Sequence, residues 1–415
     1  MGEILFLSHR IPFPPDRGDK IRSHHVLRAL AALAPVHVAT FADDEQDGGF
    51  EADLAALSAS HILVHRSKSL PVAGMQALAS GRPLSLRAFH DARIEAYVGD
   101  VLARHPVDVI FVFSGQMAQY VPADFRGRVV CDLVDVDSAK FEAYAAKGTG
   151  FRAWMEKREG RLMRAEEARI CAASDITLLI SAAEAQLLRS RLPADGGSPR
   201  IGAMGNGLDA DFFNPSAAVP EPRMLAHGGP RIVFTGQMDY APNIEAATRA
   251  IERIMPLVRE TCPHATLHIV GRNPSPALLA RSGQGGVEVW GRVDDIRPWL
   301  AAADMALVPL EIARGVQNKV LEAMAMELPV VLSPGAATGI DALDGRDFVV
   351  RESDAAMAQA LLDLGRAPDL AKQMGRCARE WIAAHATWSA ALARLPEYVG
   401  AVTRGRVSEG AVDAA

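Results

Sequence analysis

Two rows of short apolar runs, each interrupted by helical patterns, leave this chain few folds to choose from. The first row is "EILFLS" (3–8), "VHVATF" (36–41), "HILVHR" (61–66), "DVIFVF" (108–113), "RVVCDLVDV" (128–136) and "DITLLIS" (175–181). The second is "RIVFTG" (231–236), "TLHIVG" (266–271), "VEVWG" (287–291), "MALVPL" (305–310), "PVVLSP" (329–334) and "DFVVRE" (347–352). Continuous β-branched runs separated by helices predict parallel strands covered on both faces. Between the rows, residues 205–230 are rich in Gly, Pro, Asn and Asp and read as a connector. The expectation is an α/β chain with two parallel-sheet αβα domains facing across a cleft. Ligands of such sheets bind beyond the carboxyl ends of the strands.

Length and charge narrow the function. A chain of 415 residues exceeds one ordinary core. A net charge of −6 argues against nucleic acid as a partner held by bulk electrostatics. Cys131, Cys171, Cys262 and Cys377 lack metal-ligand or CxxC spacing, so free thiols in a reducing compartment are expected. No window approaches the ~20 apolar residues of a spanning helix, which predicts a cytoplasmic protein, at most peripheral to the inner membrane. Helical periodicity runs from about Ser138 to Ala173, and "FRAWMEKREGRLMRAEEARICAAS" reads as one long amphipathic helix. Its Arg152, Lys157, Arg158, Arg161 and Arg164 could touch an anionic membrane. Glu156, Glu159, Glu166 and Glu167 interleave with them, which favours a solvated, salt-bridged face.

The stretch "GVQNKVLEAMAMELPVV" (315–331) carries the sharpest chemistry. Its helix is expected to start near Gln317 or Asn318, where unpaired backbone N–H groups attract phosphate. Gly315 permits close approach of an anion, and Arg314 and Lys319 add positive charge. Glu322 lies one turn beyond Asn318, where its carboxylate can accept two hydrogen bonds from the vicinal diol of a ribose. The plain alternative is an ordinary helix with a Lys319–Glu322 surface pair.

This stretch resembles the donor-binding segment of glycosyltransferase family 4, written Leu-Glu-Ala-Met-Ala-x-Gly-x-Pro-Val-Val. "GNGLDADFFNP", "FTGQMDYAPN", "LHIVGRNP" and "VEVWGRVDDIRPWLAAADMALVPL" are similar to that family's neighbouring segments in order and spacing. "SHRIPFPPDRGDKIR", "DLVDVDSAKFEAY" and "ARGVQNKVLEAMA" resemble the subgroup associated with PEP-CTERM/exosortase exopolysaccharide genes. The resemblance implies a GT-B fold, with an acceptor domain over 1–208 and a donor domain over 209–380. A last helix within 381–415 crosses back to the first domain, followed by a disordered tail. It implies a retaining, metal-independent transferase that uses a nucleotide-sugar (UDP- or GDP-sugar) as substrate, without a cofactor. The acceptor would be an exopolysaccharide or lipid-linked glycan.

By the same resemblance, Gly315, Val316, Gln317, Asn318 and Lys319 lie against the diphosphate and sugar, and Glu322 holds the ribose. The family's first acidic residue, seven before the second, is replaced by Arg314. The basic pair that follows Gly236 in many members is absent, so the charge must come from elsewhere, and Arg272, Arg314 and Lys319 are the candidates. Arg292 and Val293 would face the base. In the first domain the loop around Gly18 faces diphosphate and acceptor, within a charged cluster of Asp16, Arg17, Asp19, Lys20 and Arg22 whose capping and ligand roles stay open. His9, Arg22, Ser114 and Gln116 are candidates for the acceptor side; Asp135 and Asp137 either shape that side or cap a helix. Two other readings remain: a nucleotide-sugar epimerase, for which no acid/base constellation stands out, and a non-catalytic sugar-nucleotide sensor.

Overall fold

The computed structural model describes residues 2–193, 197–311 and 316–401. The chain divides into two units, one of Met1–Asn206 with Leu392–Ala415, the other of Gly207–Ala391. The sequence puts these divisions after 208 and 380.

In the first unit, among the described residues, seven strands form one sheet: β1 (Glu3–Ser8), β2 (Val36–Ala42), β3 (Ser60–His65), β4 (Val107–Phe113), β5 (Arg128–Val134), β6 (Ile176–Leu179) and β7 (Ile201–Ala203). All pairings are parallel, in the order β3-β2-β1-β4-β5-β6-β7. Ile4, Leu5, Phe6 and Leu7 of the interior strand β1 are fully buried, as expected of a strand covered on both faces. The three-residue β7 has no apolar run to announce it.

The second unit has six strands among the described residues: β8 (Arg231–Thr235), β9 (Thr266–Val270), β10 (Val287–Gly291), β11 (Met305–Val308), β12 (Val330–Leu332) and β13 (Val349–Val350). They pair in parallel, in the order β10-β9-β8-β11-β12-β13. Strand order therefore reverses between β8 and β11, and the loops that leave these two strands part there.

Two expectations change. The connector does not run free to 230: from Gly207 it forms a surface layer of the second unit. Glu221 N–H bonds the Pro298 carbonyl at 2.9 Å, Met224 is buried, and the Arg297 guanidinium lies 3.8 Å from the Phe212 ring centre. The helical stretch from 138 to 173 is two helices, Asp137–Lys147 and Gly150–Ala173, separated where Gly150 takes φ 63°. Nor is the face of the longer helix wholly solvated. Glu156 pairs with Arg152 at 2.9 Å, but Glu159 and Glu167 are buried. Glu159 accepts from Leu84 and Ser85 N–H at 2.8 Å, and Glu167 accepts from Ser138 N–H at 2.8 Å. These two carboxylates satisfy N–H groups at the starts of neighbouring helices. No helix among the described residues is long and apolar enough to cross a membrane.

Candidate functional site

Glycines shape the floor of a cavity in the second unit. β8 runs into Gly236 and β9 into Gly271, and a Cβ added at Gly271 would fall 1.6 Å from the Gly236 carbonyl oxygen. Only a missing side chain lets the two turns touch. Gly236 N–H bonds Val270 O, Gly271 N–H bonds Gly291 O, and Met238 N–H bonds Arg272 O. The three strand ends are thereby held at one level beneath a cavity of about 680 Å³. Its lining includes Gly236, Asn243, Arg272, Arg292, Lys319 and Glu322.

The helix Asn318–Ala325 forms because Val320, Leu321, Ala323, Met324 and Ala325 are buried in the core. Its far end is locked. Glu327 sits at φ 57°, where the resembling motif has glycine, and Leu328 N–H returns to Ala323 O at 3.0 Å. Arg379 donates to the carbonyls of Ala325 and Phe213. The near end faces the cavity. Gln317 is the N-cap without a side-chain cap, and Val320 N–H turns back to Gln317 O, so the amides of Asn318 and Lys319 belong to the unpaired first turn.

Lys319 does not pair with Glu322. Its ammonium bonds Asn243 Oδ1 and lies 5.0 Å from the Phe234 ring centre, while Asn243 Nδ2 donates to Gln237 O at 2.9 Å. A Cβ added at Gly236 would meet Lys319 Nζ at 3.0 Å. The charge missing from the loop after Gly236 is therefore brought to that loop by the helix. Burial lowers the Lys319 pKa to about 8, with the Glu322 charge opposing. Burial raises Glu322 to about 7, with Lys319 opposing. The carboxyl thus sits near half ionisation at neutral pH and gains from any hydroxyl that bonds its charged form.

The other candidates fall around this pair. Arg272 and Arg292 are exposed on the cavity wall beside half-buried Val293. Gly291, at φ 70°, turns the chain into the Arg292 loop. Gln317 and Asn318 line the cavity, whereas Val316 is exposed and packs near Gly339. Arg314 and Gly315 lie outside the described residues. Asn243 and the exposed Tyr240, both on the cavity, escaped the sequence reading. The only trace was their place in "YAPN", just where a helix starts.

In the first unit the candidates separate. Arg22 is 1% exposed, and its guanidinium bonds both oxygens of buried Asp132, the Met204 and Gly205 carbonyls and Asn206 Oδ1. All five donors are engaged, so Arg22 is architecture and offers nothing to an acceptor. The rest of the charged cluster is largely self-paired. Asp19 takes Arg10 and Arg17, Asp43 takes Arg10, Arg17 and Arg66, and Lys20 bonds Asp47. Gly18 starts the helix Gly18–Ala31, with open space where a Cβ would stand.

His9 follows β1, and Ser114 and Gln116 follow β4, where the order of this sheet reverses. The His9 ring stacks on Phe113 at 5.9 Å; its Nδ1 is buried without a hydrogen-bond partner, and burial lowers its pKa. Ser114, at φ 78°, turns its hydroxyl onto the Gln116 amide oxygen, and Gln116 Nε2 reaches Asp137 Oδ2 at 3.5 Å. Burial raises the Asp137 pKa, against Lys140 and with help from Asp135. Asp135 itself is exposed. Neither carboxylate caps the helix Asp137–Lys147, whose N-cap is Val136. Val134 takes φ 69° at the end of β5, next to the Ser114 turn. Two non-glycine residues at positive φ thus stand at neighbouring strand ends, each at a cost of about 1–3 kcal/mol.

Residues 229–366 match a family model described as glycosyl transferases group 1. No curated protein sequence matches the chain. The crystal structure of HepE from Anabaena in complex with UDP and glucose superposes with TM-score 0.59 at 14% identity, covering 97% of this chain and 100% of that one. Sucrose-phosphate synthase from Thermosynechococcus elongatus gives 0.58 at 16% identity, with 96% and 98% covered. TarM gives 0.60 at 10% identity, with 96% and 99% covered. The chain therefore has the two-unit, parallel-sheet GT-B fold, and residues 229–366 of its second unit are similar to the glycosyl transferases group 1 family.

Proposed function

We propose that this protein is a glycosyltransferase that takes its sugar from a nucleoside-diphosphate sugar. The observation that carries the reading is one cavity in which helix-start amides, the Lys319 ammonium and one half-buried carboxyl, Glu322, face the point where strand order reverses. Diphosphate fits the amides, Lys319 and Arg272; ribose fits Glu322; the base fits the wall of Arg292 and Val293. As the anomeric C–O bond breaks, the diphosphate gains negative charge, and Lys319 stabilises it. The acceptor hydroxyl oxygen bonds the anomeric carbon on the same face, and its proton passes to the leaving phosphate. Configuration is retained, and the reaction draws on no cofactor and no dedicated metal. HepE in complex with UDP and glucose supports a UDP-sugar as the first donor to try.

The acceptor in this reading is an exopolysaccharide or lipid-linked glycan held by the His9, Ser114, Gln116 and Asp137 cluster. Stacked, exposed Phe151 and Trp154 beside exposed Arg152 support contact with the cytoplasmic face of the inner membrane. Family 4 and its PEP-CTERM-associated subgroup rest on the sequence motifs alone. A thermal-shift panel of UDP, GDP, ADP and their sugars tests the reading, since a ligand of the folded form raises its melting temperature. Slow hydrolysis of one sugar nucleotide supports the transferase, a new sugar isomer an epimerase, and binding without turnover a sensor.

A further inference from the structure

At the amino ends of the first unit's strands, Glu3, His37 and His105 bring their ligand atoms within 4.8 Å of one another. Glu3 opens β1, His37 lies in β2, and His105 follows the helix Ala92–Arg104. Both rings aim at the same oxygen: His37 Nε2 stands 2.6 Å and His105 Nδ1 3.0 Å from Glu3 Oε2. A carboxylate serving two independent donors has two oxygens to offer, yet here both approach one. The ring centres are 4.2 Å apart, so two imidazolium charges would repel at short range.

The buried ring is oriented from behind. His37 is 1% exposed, and its Nδ1 meets Ser60 Oγ at 2.7 Å, which in turn meets the Tyr97 hydroxyl at 2.6 Å. Such an outer partner sets the tautomer that leaves the other nitrogen free to ligate. Glu3 and His105 are partly open to solvent, so both side chains have room to adjust to zinc distances of about 2.0–2.2 Å. We infer that Glu3, His37 and His105 form a three-ligand site for a divalent transition-metal ion of the zinc type, with a water at the solvent side. Two imidazoles and one carboxylate favour such an ion over calcium or magnesium. The site lies outside the proposed donor cavity and ties β1 and β2 to the end of one helix.

The test uses the full chain, stripped with chelator and dialysed. Co²⁺ is titrated by its visible absorption, and Zn²⁺ by calorimetry and melting temperature. One equivalent should bind and raise the melting temperature. His105→Ala, at an exposed position, should remove that equivalent, and Ser60→Ala should weaken it by about 10–100-fold. His61→Ala, outside the cluster, should leave it intact. No stoichiometric binding, or binding that survives His105→Ala, overturns the site and leaves a hydrogen-bonded cluster. The nucleotide reading stands or falls separately.

Discussion

The two units build loop clusters on the same kind of sheet and treat charge in opposite ways. In the first, Arg22 is saturated below the surface by Asp132 and three groups of residues 204–206, and Arg10, Arg17 and Arg66 share Asp19 and Asp43. In the second, among the described residues, no ion pair within 4 Å engages Arg272, Arg292, Lys319 or Glu322, although all four line one cavity. Charge paired within the protein is architecture; charge that lines a cavity without a direct ion pair is capacity for a ligand.

The most severe way to challenge that contrast is Arg22→Ala. Removing one partner of a buried pair should cost about 3–5 kcal/mol, read as a lower urea midpoint. A midpoint equal to wild type would show that the pair is not structural. Next in size is Lys319→Ala. Charge-assisted hydrogen bonds of about 1.5–3 kcal/mol predict a 10–100-fold loss of UDP affinity by calorimetry, without loss of apo stability.

Glu322→Gln should weaken the nucleotide by about tenfold, since a neutral amide accepts less strongly. Its stability effect has a definite sign. The folded pKa of about 7 stands above the ordinary 4.5, so ionisation costs stability progressively as pH rises from 4.5 through 7. At pH 8 the Gln variant should therefore melt no lower than wild type. Nucleotide affinity of the wild type should rise as Glu322 ionises through about pH 7 and fall as Lys319 deprotonates above about 8. Gln at 322 should flatten the acidic limb, and Ala at 319 the alkaline one. The smallest effect belongs to exposed Arg272→Ala: about threefold in affinity, vanishing at high salt. A loss that persists in salt would mean direct, desolvated contact.

Much of the fold was legible because it is local. β-Branched runs, intervening helices and glycines at strand ends are set by steric and solvation terms that act over a few residues. The helix carrying Lys319 and Glu322 was equally visible, since an apolar face and an open first turn share one short stretch. The part played by Arg22 was not legible, because its partner Asp132 lies 110 positions away. Asn243 was missed for the same reason, being 76 positions from Lys319.

By itself, then, the sequence determined the alternation of elements, the two-unit α/β plan and the helix whose start faces a cavity. Only the tertiary structure decided which charges are neutralised, because strand order alone brings Asp132 to Arg22 and Asn243 to Lys319. Coulomb energy and desolvation depend on distance in space and on burial, and neither is written in the spacing along the chain.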